Sequence, residues 1–388
     1  MRILLIALFL LVGTARAQNW MQVADFPGSA RDDAAGFVIG NNFYVGTGLN
    51  SGFNPERDFY TMDLTTTSWT TGVSLPVGME RQYASGFNEG NYGYIFGGVG
   101  PGNNYLNDLW RFDPITMTWQ SLTSLPAAGR KGSAVFVIGG EVFICGGNNA
   151  AQPALRENWK YTIATNSWQQ LTDFPFPALW RSAGCAFNGN GYLNGGIDST
   201  GQYSNFIYKY NPGNDTWSIL TQFPGNGFAY TQMFPYNNSL LFYGGIENGN
   251  VFLNYLWRFD FSLFAFVPAS GIPTLARKGY VACVHNNVFY CTTGLVSTPA
   301  RTTESWKCFN ITATDEPSFL QQPIYPNPFN DFLYLPFAGQ LEIQDHLGRV
   351  LLREQIHSGI YPFNQIPNGS YLLKLRSKEK TIIQQIIK

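Results

Sequence analysis

The chain has 388 residues, 45% of them hydrophobic, which is enough for a large core and for more than one domain. Charged residues make up only 13%, about half the usual share of roughly 25%, and a formal net charge of −1 argues against nucleic acid as a partner, which calls for a basic excess. Aromatics at 16% and 41 glycines favour an all-β protein rich in tight turns over a helical one.

From the N-terminus, Arg2 supplies a short positive region, Ile3 to Val12 an unbroken apolar run, and Ala15-Arg16-Ala17 a small-x-small cleavage pattern. Residues 1–17 therefore read as a signal peptide, with the mature chain beginning near Gln18. The apolar run is about half the ~20 residues a bilayer span needs, so no membrane span is expected in the mature chain.

Landmarks then recur with a fixed period. A glycine closes an apolar run at Gly48, Gly98, Gly147, Gly196, Gly245 and Gly294, in steps of 50, 49, 49, 49 and 49. Aromatics keep the same steps at Tyr60, Trp110, Trp159, Tyr208, Trp257 and Trp306. A second aromatic follows at Trp20, Trp69, Trp119, Trp168, Trp217 and Phe266, and a proline at Pro27, Pro76, Pro126, Pro175, Pro224 and Pro273. Each unit holds four short apolar or alternating runs parted by Gly, Asn or Pro, which predicts a four-stranded antiparallel sheet. Six such units predict a six-bladed propeller over 18–310. The second-aromatic and proline landmarks begin at Trp20 and Pro27 and are missing after Trp306. Trp20 to Phe26 is therefore expected to supply the fourth strand of the last blade and remove the open edge.

The pattern of Arg, apolar run, double glycine, aromatic-x-x-Asp, Trp and a closing Leu-Pro or Phe-Pro is clearest at 81–126, and it resembles the kelch repeat. The resemblance implies that ligands bind on the rim carrying the loops after the glycine pairs and the loops leading into each innermost strand. Arg31, Arg81, Arg130, Arg181 and Arg277 follow their closing prolines by four to six residues, and are expected to converge on the mouth of the central channel as a carboxylate-binding set. The competing expectation is structural: each is spent on loop carbonyls or on Asp32, Asp58, Glu80, Asp108 or Glu157. Trp119, Trp168 and Trp217 are expected to pack between blades. Asn50, Asn54, Asn103, Asn104, Asn148, Asn149 and Gln152, with Phe53 and Tyr105, suit sugar hydroxyls and ring faces, and equally suit plain turns.

After Asn310 the period stops. Residues 311–322 read as a linker, and 323–388 as a small β-sandwich of short alternating strands. Tyr325-Pro326-Asn327-Pro328-Phe329, Asp345 to Val350, Asn368-Gly369-Ser370-Tyr371 and Lys388 together resemble the type A sorting domain of the type IX secretion system. That resemblance implies handling by the type IX machinery and a secreted or cell-surface destination.

Chemistry is thinly signalled. Of the five cysteines, Cys283 and Cys291 flank the turn at Asn286-Asn287 and offer one local disulfide, with Cys308 on the next strand, whereas Cys145 and Cys185 read as buried hydrophobes. No metal or cofactor is expected. Copper radical oxidases with kelch propellers need two histidine ligands, and only His285 falls within the propeller. Two function classes remain. The first is a non-catalytic module binding an extracellular acidic or polyhydroxylated ligand, glycan or protein. The second resembles the N-acetylneuraminate mutarotase (epimerase), with Glu56, Glu80, Glu157 or Glu247 as acid–base candidates.

Overall fold

The computed structural model describes residues 19–269, 271–311, 332–335, 338–345, 347–357, 359–363, 365–377 and 381–387. The expected signal peptide at 1–17, most of the expected linker, the 325–329 motif and Lys388 lie outside them. No α-helix occurs among the described residues, and no helix there is long and apolar enough to cross a membrane.

Six four-stranded antiparallel sheets form the propeller. Their innermost strands are Ala35–Ile39, Ser85–Glu89, Ala134–Ile138, Ala183–Phe187, Gln232–Tyr236 and Val281–His285, and these line the central axis. Asn19–Val23 pairs antiparallel with Ser305–Phe309, Trp20 opposite Cys308, and so completes blade 6. Phe26 extends the seam by donating its N–H to the Thr303 carbonyl at 2.8 Å. The ring thus closes through strand pairing, with the first strand of the chain completing the last blade and covering the edge of Ser305–Phe309.

The core consists of six clusters, each between neighbouring blades. Strand alternation causes this, because every sheet buries both faces against its neighbours. Trp119, Trp168 and Trp217 pack in three of these seams; the Trp119 and Trp168 indoles also donate to the Val73 and Thr123 carbonyls of the preceding blade.

All five cysteines are buried free thiols, so the expected local disulfide does not form. Cys283 lies opposite Tyr290, and Cys291 opposite Ala282, a one-residue offset across the pair. In a pleated sheet that offset sends the two sulfurs to opposite faces: Cys283 joins the seam with blade 1, Cys291 and Cys308 the seam with blade 5.

The C-terminal unit is a β-sandwich. A sheet of Phe332–Leu335 and Gly359–Pro362 shares a core with one built from Val350–Ile356, Gly339–Gln344, Ser370–Arg376 and Thr381–Ile387. Its motif residues hold turns. Asp345 accepts the Leu347 and Arg349 N–H groups at 2.9 and 3.0 Å, and Tyr371 donates to the Pro367 carbonyl at 2.6 Å.

Candidate ligand-binding site

The rim is built by a repeated backbone exchange. The second glycine of each pair donates its N–H across the blade boundary to the carbonyl of Arg81, Arg130, Leu179, Phe228, Arg277 and Arg31 in turn. These six acceptors are the true equivalents of one another. Arg181 is therefore not one of the repeat arginines: it stands two residues past its blade's equivalent position, which Leu179 occupies.

Four of the five expected site arginines turn away from the channel. Arg31, Arg81, Arg130 and Arg277 are at most 1% exposed, and each is latched to a carboxylate 27 residues on: Asp58, Asp108, Glu157 and Glu304. Arg81 shows the full pattern. It grips Asp108 through two bonds of 2.7 and 2.8 Å and also donates to the Met79 and Gly97 carbonyls. A repeat tryptophan shares the acid, since the Trp110, Trp159 and Trp306 indoles donate to Asp108, Glu157 and Glu304 at 2.6, 2.8 and 3.2 Å, on an oxygen that the arginine also bonds. Burial raises the pKa values of Glu157 and Glu304, but the bonds from arginine and tryptophan outweigh it and hold both below the usual range. Blades 4 and 5 lack both partners, having Leu179 with Phe206 and Phe228 with Tyr255. The Trp257 indole of blade 5, which has no acid to brace, finds no partner.

Two residues past the latch, the chain enters the axis. Asp33, Tyr83, Gly132, Arg181, Tyr230 and Gly279 occupy one position in the six blades, all with φ between 54° and 63°. Their backbones are chained around the mouth: Tyr83, Gly132, Arg181 and Tyr230 each donate to the preceding member at 2.9–3.2 Å, and Asp33 donates to Gly279 at 2.6 Å. The left-handed backbone turns each side chain toward the channel, a cavity of about 350 Å³ that all six residues line. Only glycine leaves room at position 279, where a Cβ would lie 2.9 Å from Asp33 Oδ1.

The ring's side chains make a charged aromatic cluster. The Arg181 guanidinium stacks 3.6 Å from the Tyr83 ring centre and 4.2 Å from that of Tyr230. Its Nη1 lies 2.9 Å from Asp33 Oδ1, whereas Nε and Nη2 are buried without a hydrogen-bond acceptor, although the Tyr230 hydroxyl comes near. Lys131 Nζ approaches the rings of Tyr83, Tyr105 and Trp180 at 5.1, 5.2 and 5.8 Å, and Lys278 Nζ those of Tyr230 and Phe252 at 5.0 and 5.5 Å. Burial, with Arg181 adding to it, lowers the pKa of both lysines. Asp32 is neutralised separately by Arg301 at 2.6 Å. Three cations thus share one further carboxylate, Asp33. Burial, with Asp32 adding to it, lifts its pKa to about 6 against the pull of Arg181, Lys278 and Tyr83.

Sequence reasoning missed Tyr83, Tyr230, Lys131 and Lys278, and read Asp33 only as a carboxylate beside Arg31 able to neutralise the arginines, whereas it pairs with Arg181. Alignment on the second glycine of each pair, rather than on the proline, would have found the ring position, because the proline-to-strand loops vary in length. The amides of the rim loops mostly serve their own turns: Asn50 Oδ1 accepts from Gly52 and Asn54, and Asn149 Oδ1 from Ala151 and Gln152. Phe53, 74% exposed with Arg301 over its ring, stands free at the rim. Glu157 is a latch, while Glu56 bonds Asn50 and Glu80 pairs with Arg57, so neither is in the ring. Glu247 accepts from Asn226.

Comparison with known proteins adds three findings. Residues 8–193 match a family model described as the KLHDC2/KLHL20/DRC7 Kelch-repeats domain, and residues 323–388 match one described as the Secretion system C-terminal sorting domain. No curated protein matches the sequence. Among solved structures, the one titled "Structure of YjhT" superposes with a TM-score of 0.62 at 18% identity, over 73% of this chain and 95% of that one, a likeness of fold.

Proposed function

The chain belongs to the kelch-repeat β-propellers and ends in a secretion-system sorting domain, and on that premise we propose that it is a secreted or cell-surface binding module. Its ligand, an extracellular glycan or protein, is acidic or polyhydroxylated and is held at the mouth of the channel. Residues 1–17 would lead it into the export route, and residues 323–388 would be read by the type IX machinery.

The observation that carries the reading is the charge imbalance at the ring, where Arg181, Lys131 and Lys278 outnumber Asp33, the neighbouring Asp32 being paired with Arg301. Like charges crowded in a low-dielectric mouth favour an incoming anion. Two unsatisfied N–H-bearing nitrogens on Arg181 add a cost that an acceptor would relieve, reaching them as Tyr83 or Tyr230 turns aside. Trp180, Tyr105, Phe252 and the exposed Phe53 offer ring faces to a sugar or an apolar segment beside the anion. Of the five arginines expected to bind, Arg181 keeps that role, and the other four hold the blades.

A second reading, a mutarotase-like enzyme on an acidic sugar, draws support from Asp33. A carboxyl with a pKa of about 6 beside Tyr83 suits general acid–base work near neutral pH better than any of the four glutamates outside the ring. A glycan array, combined with NMR of N-acetylneuraminate anomers, separates the two. Binding without faster anomer exchange, lost in Arg181→Gln and kept in Arg81→Lys, is the result expected. Accelerated exchange would replace the module by the enzyme, and binding unaffected by Arg181→Gln would remove the ring from the site.

A further inference from the structure

Asp33 is the one acidic member of the ring. It is held in the left-handed region, is 5% exposed, and points its Oδ1 at Arg181 Nη1. Every other charged group facing it comes from a different element: Arg181 from blade 4, Lys278 from the approach to blade 6, and Lys131 more distantly from blade 3. Asp32 adjoins it but is already paired with Arg301, and the Tyr83 and Tyr230 hydroxyls complete the surroundings. An anion arriving in the ring therefore competes with Asp33 for the same guanidinium. Two carboxylates held on one guanidinium in a buried site repel each other with little screening; Lys131 and Lys278 offset only part of this, so the repulsion falls on the carboxyl that burial already biases toward its protonated form, Asp33.

We infer that the ring is a proton-linked carboxylate receptor: a ligand carboxylate and a proton enter together, the carboxylate onto Arg181 and the proton onto Asp33. The inference rests on the ring being the ligand site. The bookkeeping closes without any other reactant. One solvent proton forms the O–H bond on Asp33, and the total charge of the site is the same before and after binding. Asp33 suits the role because it is the ring's one acid, lies 2.9 Å from Arg181 Nη1, and is biased by burial toward its protonated form. With its pKa at about 6, the free protein is mostly ionised there at pH 7.5, so the proton must come from solvent as the ligand binds. Linkage then requires affinity to fall by up to about tenfold per pH unit above that point.

The test uses acetate as probe on the full mature chain. The Arg181 Nε–H and Asp33 carboxyl-carbon NMR signals are followed at pH 5.5, 6.5, 7.5 and 8.5, for the parent and for Asp33→Asn, whose side chain tolerates the same backbone. Expected are saturable Arg181 shifts, a dissociation constant that climbs by at least thirtyfold across the series, a protonated Asp33 signal in the bound form, and a flat profile in Asp33→Asn. If acetate binds equally at every pH, or if the slope survives in Asp33→Asn and so belongs to Lys131 or Lys278, the linkage is overturned while the ligand site stands. If acetate leaves Arg181 unmoved at every pH, the ligand site and the linkage fall together. The parent's Asp33 signal decides the matter by itself if Asp33→Asn does not fold.

Discussion

Blades 2 and 4 are built on the same repeat and finish the rim in different ways. In blade 2, Arg81 is swallowed by its own sheet, gripping Asp108 and the Gly97 carbonyl, and Tyr83 enters the axis. In blade 4, Leu179 fills the latch position and packs in the seam with blade 3, and the arginine, two residues later, enters the axis. The residue type is the same, but one position is a strut within the blade and the other lines the channel, where we propose that it meets the ligand. What separates them is the turn of backbone at the ring position, where φ near 60° redirects the next side chain from the blade to the channel. Blade 4 dispenses with the ionic latch because leucine and phenylalanine at the paired positions, Leu179 and Phe206, fill that space with apolar contacts. A buried ion pair and a well-packed apolar pair are near-equal solutions to the same problem.

That comparison presupposes a closed ring, and removing Asn19–Phe26 would break it most severely. The unpaired edge at Ser305–Phe309 should send the protein into aggregates, measured as loss of soluble monomer; a soluble monomer melting like the parent would refute closure by this strand. Next comes the latch. Arg81→Ala takes the arginine's bonds from Asp108 and the Gly97 carbonyl and leaves Asp108 with the Trp110 indole, and should cost about 2–3 kcal/mol, less than for a fully buried pair because Asp108 is partly exposed. The double change Arg81→Leu with Asp108→Phe, copying blade 4, should recover most of the melting temperature. Failure to recover would mean that the apolar solution depends on blade 4's own neighbours.

The two kinds of carboxylate should also part company with pH. Glu157 and Glu304 have depressed pKa values in the fold, so the stability they add is present above the ordinary glutamate range and is lost as pH falls through the folded values. Asp33 runs the other way. Its raised pKa means that the fold binds its proton more tightly than the unfolded chain does, so stability is lost as pH rises from about 4 to about 6. Asp33→Asn should therefore leave thermal stability unchanged at pH 4 and raise it at pH 8, by up to about 3 kcal/mol, the equivalent of a shift that already sets the attraction to Arg181 against burial. A variant less stable at pH 8 would show the ion pair outweighing desolvation. The smallest effect belongs to Arg181→Gln. It removes a charge from a crowded cluster, and its thermal stability at pH 6 should stay within about 1 kcal/mol of the parent, well short of the loss in Arg81→Ala. Equal losses would erase the distinction between channel residue and strut.

The sequence by itself determined the period, the blade count, the closing strand and the two-part architecture. These rest on local signals that repeat: turn glycines that accept positive φ, and aromatics and prolines that any blade needs to cover its neighbour. It also carried the latch in coded form, since arginine and carboxylate appear together in blades 1, 2, 3 and 6 and vanish together in blades 4 and 5. It did not reveal which side of the backbone each arginine would take. Arg181 follows its proline at a distance similar to the others, and a two-residue offset lies within the natural variation of that loop. The cysteines teach the same lesson, because nearness across a hairpin does not say which face a side chain takes. Only the closed ring, with its inter-blade hydrogen bonds fixing one register for all six strands, decided that Arg31, Arg81, Arg130 and Arg277 serve the blades. The same register brings Asp33, Tyr83, Arg181 and Tyr230, which are far apart in the chain, to one mouth.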